Sequence, residues 1–450
     1  MDNTTVKNWD NTHFMHPWEG MDEMGENDRA FMESSDGIYV TNDVGTRLID
    51  GPAGMWCVQV GYGQDEIADA MAEQARKLAY FSPFNNANSV AAHFAREIAK
   101  RTPGDLNHVF FTTGGSTAVD TALRFVHFRN NLLGKPNKKK IISRQKAYHG
   151  STYLAAAVSG KERDRLWLDK PEGLAHFLPD VNPLIRRADQ TIEAFLDEKI
   201  ADLEQAIITL GPDNVAAFIA EPILASGGVI VPPPGYHKRC IEICHKHDVL
   251  YISDEVVTAF GRLGHWFASK DVFDIQPDII TCAKGLTSGY APMGAAIFSD
   301  RLIADVSGEK GNGATFSNGY TYSGHPVSAA AGLASMKIIE REGLLEHVRA
   351  ATPHFQERLK ALADLPLVLD ARGAGLMGCI ECCADQQRGH SLEHDYALGA
   401  KIDAECQQRG LLLRPIINMC VMSPPLIIST DQIDQMFDIL ETSIRAVSKS

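Results

Sequence analysis

The sequence predicts an α/β fold, with a mostly parallel central sheet in a large domain and a smaller α+β domain after it. Three observations predict it. Between residues 108 and 300 short apolar runs alternate with helical patterns, as in a parallel sheet covered on both faces. From about residue 325 the texture changes to long helical patterns and short strands. Gly115, Asp254 and Lys284 fall at or just beyond the ends of expected strands, where sheets of this kind bind ligands. The expected division is an N-terminal segment, 1–55, packing with the small domain, a large domain over 56–324, and the small domain over 325–450. A chain of 450 residues with 44% hydrophobic content can bury two sizeable cores.

In chain order, Gly37 to Val40 and Arg47 to Asp50 flank the turn-forming run Asn42-Asp43-Val44-Gly45 and read as a hairpin. Strands are expected over Val109 to Phe111, Lys140 to Ser143, Ala216 to Glu221, Leu250 to Asp254, Ile279 to Ala283 and Ala295 to Ser299. Lys135 to Lys140 reads as a solvated loop. After Pro232-Pro233-Pro234-Gly235 comes a helical pattern with Cys240 and Cys244 on one face. Long helices are expected at roughly 326–341, 343–363, 391–409 and 430–447. No internal repeat or low-complexity tract is present.

The chemistry concentrates on three of these elements. Lys284 ends the apolar run from Ile279, thirty positions after Asp254. A lysine can hold an aldehyde cofactor covalently only where its surroundings lower its pKa enough to supply the neutral amine, and a strand end facing a pocket does this. A pyridine cofactor also needs a carboxylate on its ring nitrogen to remain an electron sink. In the strand Tyr251 to Val257, Asp254 and Val256 share a face, offering a carboxylate beside a flat apolar wall. The pair suits pyridoxal phosphate, yet it reads as well as a strand ending in two solvated acids.

The third element is the run His108 to Leu123, which reads strand, glycine turn, helix. Gly114 and Gly115 allow close backbone approach, and the first free N–H groups of the helix, with Ser116 as N-cap, make a site for a phosphate. The turn lacks the Gly-Lys-Ser/Thr ending of a nucleotide P-loop. Alone it is only a turn; beside Asp254 and Lys284 it accounts for the other end of the cofactor.

Other patterns are weaker. Gly373-Ala374-Gly375-Leu376-Met377-Gly378 has dinucleotide spacing, but Cys379 to Cys382 continues as strand where a helix is required. Cys240, Cys244, His245 and His247 fit a helix better than a metal site, and Cys379, Cys382 and Cys383 lack a fourth ligand, so no metal is expected. Nine scattered cysteines and a polar N-terminus without a secretion signal point to reduced thiols and a cytoplasmic protein. No apolar run approaches the roughly 18 residues of a membrane span. The net charge of −14 disfavours nucleic acid and anionic membrane as partners.

Over nearly its whole length the chain resembles the class III (omega) aminotransferases, pyridoxal phosphate enzymes of fold type I. The matching stretches are Gly51 to Val58, Tyr80 to Phe84, Thr112 to Asp120, Glu221 to Gly228, Ser253 to Val256 and Tyr320 to Pro326. Within the family it is most similar to enzymes that move the amino group of taurine to pyruvate. Relatives acting on β-alanine, polyamines or aryl-alkyl amines share most of these motifs, and an aminomutase of the same fold is a further alternative. The resemblance implies that Lys284 holds the cofactor and shuttles the proton, Asp254 holds the pyridinium, and Val256 supports the ring. It implies Gly115 and Ser116 at the phosphate, Tyr148 stacked on the ring, and Glu221 placing neighbouring groups. Thr321 would reach the phosphate of a neighbouring subunit's cofactor, which implies a homodimer with shared sites, or a tetramer built from it. Arg414 would grip the keto-acid carboxylate and swing aside for an amine lacking one, and Trp56 would line the donor's side of the pocket.

Overall fold

The computed structural model describes residues 3–385 and 395–449, built around three sheets. The first holds β1 (Met32–Asp36), β2 (Tyr39–Asn42) and β3 (Arg47–Asp50), each antiparallel to the next. The second has seven strands: β4 (Leu106–Thr112), β5 (Lys140–Arg144), β6 (Ala175–Leu178), β7 (Val215–Ala220), β8 (Leu250–Asp254), β9 (Ile279–Cys282) and β10 (Gly294–Ser299). Their spatial order is β4-β10-β9-β8-β7-β5-β6. The third sheet contains β11 (Val368–Ala374) and β12 (Met377–Cys382). The chain then crosses to the first sheet as β13 (Leu411–Leu412), parallel to β3, and returns as β14 (Arg414–Ile416) and β15 (Met419–Met422).

The large sheet is mixed. Strands β7, β8 and β9 run parallel and every residue in them is buried, which is why they read as unbroken apolar runs. β10 runs antiparallel to both β4 and β9, a departure from the expected alternation. The connection from β9 to β10 holds the turn after Lys284 and no covering helix, and a parallel return needs such a crossover. β6, which pairs with β5 at the sheet edge, was not among the expected strands; its partly exposed pattern carries little apolar signal.

Helices cover the sheet. Gly115–Leu132 follows β4 and buries Ala118, Val119, Ala122 and Leu123. The expected long helices appear as Pro326–Arg341, Leu344–Ala361, Leu398–Gln407 and Thr430–Val447. The stretch 391–394 of the third expectation lies outside the described residues. Gly373 to Gly378 spans the tip of the β11–β12 hairpin, with Gly373 and Gly378 paired across it and Gly375-Leu376 as the turn, which explains its glycines without a nucleotide. Lys138, expected in a solvated loop, is instead buried with its amine on the carbonyl of Pro212 at 2.8 Å. All nine cysteines are free thiols, and Cys240 and Cys244 are buried on the inner face of Tyr236–Lys246.

Two junctions bring distant segments to the carboxyl edge of the large sheet. At the first, the Gly51 N–H donates to the Leu412 carbonyl at 3.0 Å, and the Ser423 N–H donates to the Gly51 carbonyl at 2.6 Å. A Cβ on Gly51 would lie 2.5 Å from the Leu412 oxygen, so glycine is required there. At the second, Glu255 is wholly buried. Its carboxylate accepts from the N–H groups of Ala268 at 2.7 Å and Ser269 at 2.9 Å, and from the Thr258 hydroxyl at 3.1 Å. This fixes the loop beyond Asp254 from behind. Glu255→Ala would orphan two buried N–H groups and should lower stability by on the order of 3 kcal/mol, read from urea unfolding.

Candidate active site

The carboxyl ends of the central strands open into a cavity of about 450 Å³. Gly115 and Ser116 from the start of the helix after β4, Tyr148 and His149 after β5, and Glu221 and Ser226 after β7 line it, together with Asp254 at the end of β8, Val256 just past it and Lys284 after β9. Trp56 and Cys57 enter from the first junction.

Asp254 is 3% exposed, so the solvated-acid reading fails. One of its oxygens pairs with His149 Nδ1 at 2.6 Å; the other accepts from the Thr281 hydroxyl and the Val256 N–H, both at 3.2 Å. His149 is itself buried, with Nε2 at 3.3 Å from the Ser143 hydroxyl and its N–H on the Ser159 hydroxyl at 2.8 Å. The histidine therefore sets the orientation of the carboxylate. Sequence reasoning did not assign His149 a role, and its only signal was its place between Tyr148 and the glycine turn at Gly150.

Lys284 follows β9 with φ +43°, in the left-handed region. Its side chain lines the cavity. Burial holds the amine below the ordinary lysine range, against the attraction of Cys57, Asp254 and Glu221. Its Nζ stands 5.9 Å from the centre of the Trp56 ring, and the Arg414 guanidinium stands 4.7 Å from the same ring. Trp56 thus spans the distance between the amine and the arginine.

Glu221 is buried just past β7, and burial raises its pKa. Its oxygens accept from the Tyr148 N–H at 2.9 Å and the Ala225 N–H at 3.1 Å. Tyr148 is half-buried, its hydroxyl 2.9 Å from that of Ser151, with Trp18 tilted over it at 6.0 Å and the Lys161 amine 5.6 Å from its ring. Arg414 follows β13 and begins β14.

Ser116 does not cap its helix. Gly114 is the N-cap residue and Ser116 lies inside the first turn, where its hydroxyl accepts from the Ser151 N–H at 3.0 Å. The glycines still make a cup. A Cβ on Gly115 would approach Val256 to 3.0 Å, and one on Gly150 would fall 2.5 Å from the Ser116 hydroxyl. Thr321 lies outside this cavity on an exposed loop, its carbonyl taking the Tyr80 hydroxyl.

A phosphate at the helix N-terminus, a flat ring against Val256, a ring nitrogen at Asp254 and an aldehyde at Lys284 fit these residues together. Residues 21–444 match the family described as Aminotransferase class-III. The chain belongs to the class III aminotransferases. It is a pyridoxal phosphate-dependent aminotransferase. It is 37% identical over 429 residues to the putrescine–pyruvate aminotransferase of Pseudomonas aeruginosa, covering 94% of this chain and 92% of that one. It is 36% identical over 431 residues to the mitochondrial gamma-aminobutyrate transaminase 1 of Oryza sativa subsp. indica, covering 93% and 81%. A solved (S)-enantioselective omega-transaminase from Thermomicrobium roseum superposes with TM-score 0.94 at 32% identity, covering 99% of each chain. No helix among the described residues of this aminotransferase is long and apolar enough to cross a membrane.

The buried amine has a measurable consequence in the cofactor-free aminotransferase. With its pKa lowered in the fold and 10.5 when unfolded, Lys284 binds fewer protons folded than unfolded between the two values. It therefore destabilises the fold below that window, and the penalty fades as pH rises toward 10.5. Lys284→Met apoenzyme should melt above the native apoenzyme at about pH 7, and the gap should narrow by about pH 10.

Proposed function

We propose that this aminotransferase moves the amino group of an omega-amine, taurine before others, onto pyruvate, giving L-alanine and an aldehyde. The observation that carries this reading is Arg414, set over Trp56 beside the Lys284 amine with its Nε buried and unpartnered. A guanidinium so placed can grip the carboxylate of a keto acid and turn away along the indole face when an amine without that carboxylate enters. The pyruvate-dependent relative supports the acceptor.

Pyridoxal phosphate, when bound, supplies the electron sink and carries the amino group between the two half-reactions. The chain's own groups do the rest. Lys284 Nζ would take the proton from the carbon bearing the donor's amine and pass it to the cofactor's aldehyde carbon within the same half-reaction, and would carry a proton the opposite way when the keto acid is aminated. Asp254, oriented by His149 and Thr281, would hold a proton on the ring nitrogen. Gly115 and Ser116 would bind the phosphate, joined by the partner subunit's Thr321 in a homodimer with shared sites. Tyr148 and Val256 would enclose the ring from its two faces, and Glu221 would fix the Tyr148 segment through the backbone N–H it accepts. Trp56 would shape the donor's side.

Lys284→Ala should abolish turnover, and Asp254→Ala should lower kcat by at least about a hundredfold through loss of the charge at the ring nitrogen. Retained turnover in the first, or a near-native rate in the second, would remove that residue from its role. The donor is tested by following the bound cofactor's visible absorbance while taurine, β-alanine, putrescine or 1-phenylethylamine is added without keto acid. Taurine should bleach the band fastest, and pyruvate should restore it; another amine bleaching faster reassigns the donor.

A further inference from the structure

Three polar atoms in or beside the cavity are buried and have no partner: the Ser226 hydroxyl, the Trp56 indole N–H and Nε of Arg414, which lies on the Trp56 ring. Ser226 is 5% exposed and Trp56 3%, and both line the cavity. A buried polar atom left unpaired costs stability, so its survival points to a partner that arrives with a ligand. Two of the three atoms can only donate. A ligand that satisfies them brings acceptors.

The charges around them agree. The two carboxylates of the cavity are already committed, Asp254 to His149, Thr281 and Val256, and Glu221 to Tyr148 and Ala225. The cations are held only by rings and a sulfur: Arg414 lies on the Trp56 ring with Nη1 on the Met55 sulfur and Nε unpartnered, and the Lys161 amine stands 5.6 Å from the Tyr148 ring. A second ammonium on the donor would meet cations and donor-only groups. An oxyanion would meet what it needs.

We propose that Ser226 is a specificity-determining residue, whose hydroxyl donates to one oxygen of a carboxylate or sulfonate at the far end of the amine donor. The proposal rests on the omega-amine reading above and sharpens it. A site built to hydrogen-bond a substrate group discriminates strongly against an analogue without that group, because its buried donors are then left unsatisfied. Ser226→Ala removes an atom with no protein partner, so the variant should melt no lower than the native enzyme.

The test compares native and Ser226→Ala holoenzyme on taurine and β-alanine, which carry the oxyanion, and on putrescine and 1-phenylethylamine, which do not. The ratio of kcat/KM for the oxyanion donors over the other two should fall by about tenfold or more, as expected for one lost hydrogen bond to a charged group. A fall confined to taurine or to β-alanine identifies the sulfonate or the carboxylate. An unchanged ratio, or a loss shared by all four amines, overturns the proposal. Calorimetric titration with ethanesulfonate and propionate, which carry no amine, separates this proposal from the donor reading. If no amine bleaches the native cofactor, the donor reading fails, while binding of either anion about tenfold weaker in Ser226→Ala still upholds the role of Ser226. Equal binding to both proteins overturns it.

Discussion

The withdrawal of the Lys284 amine from water is the constraint on which the rest of the site depends. An amine in the protein interior keeps a lowered pKa only if no carboxylate is free to pair with it closely. Asp254 and Glu221 both lie near enough to attract it, yet each has its oxygens committed to fixed donors. Those donors are in turn placed by buried strands and by the turn that carries Tyr148 and His149. The polar network around the cavity therefore gives the two acids fixed donors other than the amine.

This arrangement also concentrates strain. Ala53, Trp56, Lys284 and Ser288 all have φ between +43° and +57°, a region that costs a residue other than glycine on the order of 1 kcal/mol or more. The surrounding bonds over-determine each turn. Asp50 holds the segment before Trp56 through the Gly54 N–H and the Tyr62 hydroxyl, both at 2.6 Å, and the Ser288 hydroxyl takes the Val60 N–H at 2.9 Å. The side chains of Trp56 and Lys284 are thereby aimed across the cavity at one another by backbone rather than by packing alone.

Much of this was legible in the sequence, because the strands that carry Asp254 and Lys284 are buried on both faces and so announce themselves as apolar runs. The glycine turn at Gly115 was legible for the same local reason. What stayed hidden is non-local. His149 touches Asp254 across more than a hundred positions, and nothing in its neighbours' periodicity reports that contact. The capping role read for Ser116 failed because the turn is set by Gly114, leaving the hydroxyl to face Ser151. The antiparallel course of β10 depends on what the β9–β10 connection lacks, and the exposure of β6 erased its alternation. Ser226 stood inside a family-like stretch whose chemistry becomes visible only when its hydroxyl is found without a partner.

The course of β10 also orders the assembly of the molecule. The glycine cup follows β4, and the acid and the lysine follow β8 and β9, but β4 meets that group of strands only across β10. During synthesis the two sides of the cavity can be joined through the sheet only after β10, which ends at Ser299, has been made, although every residue of the glycine cup and Lys284 precede it. Arg414 is later still, because its place depends on β13 joining β3 at Leu411 and Leu412. The nascent chain can therefore close the sheet around the cavity before Arg414 has a strand to begin from.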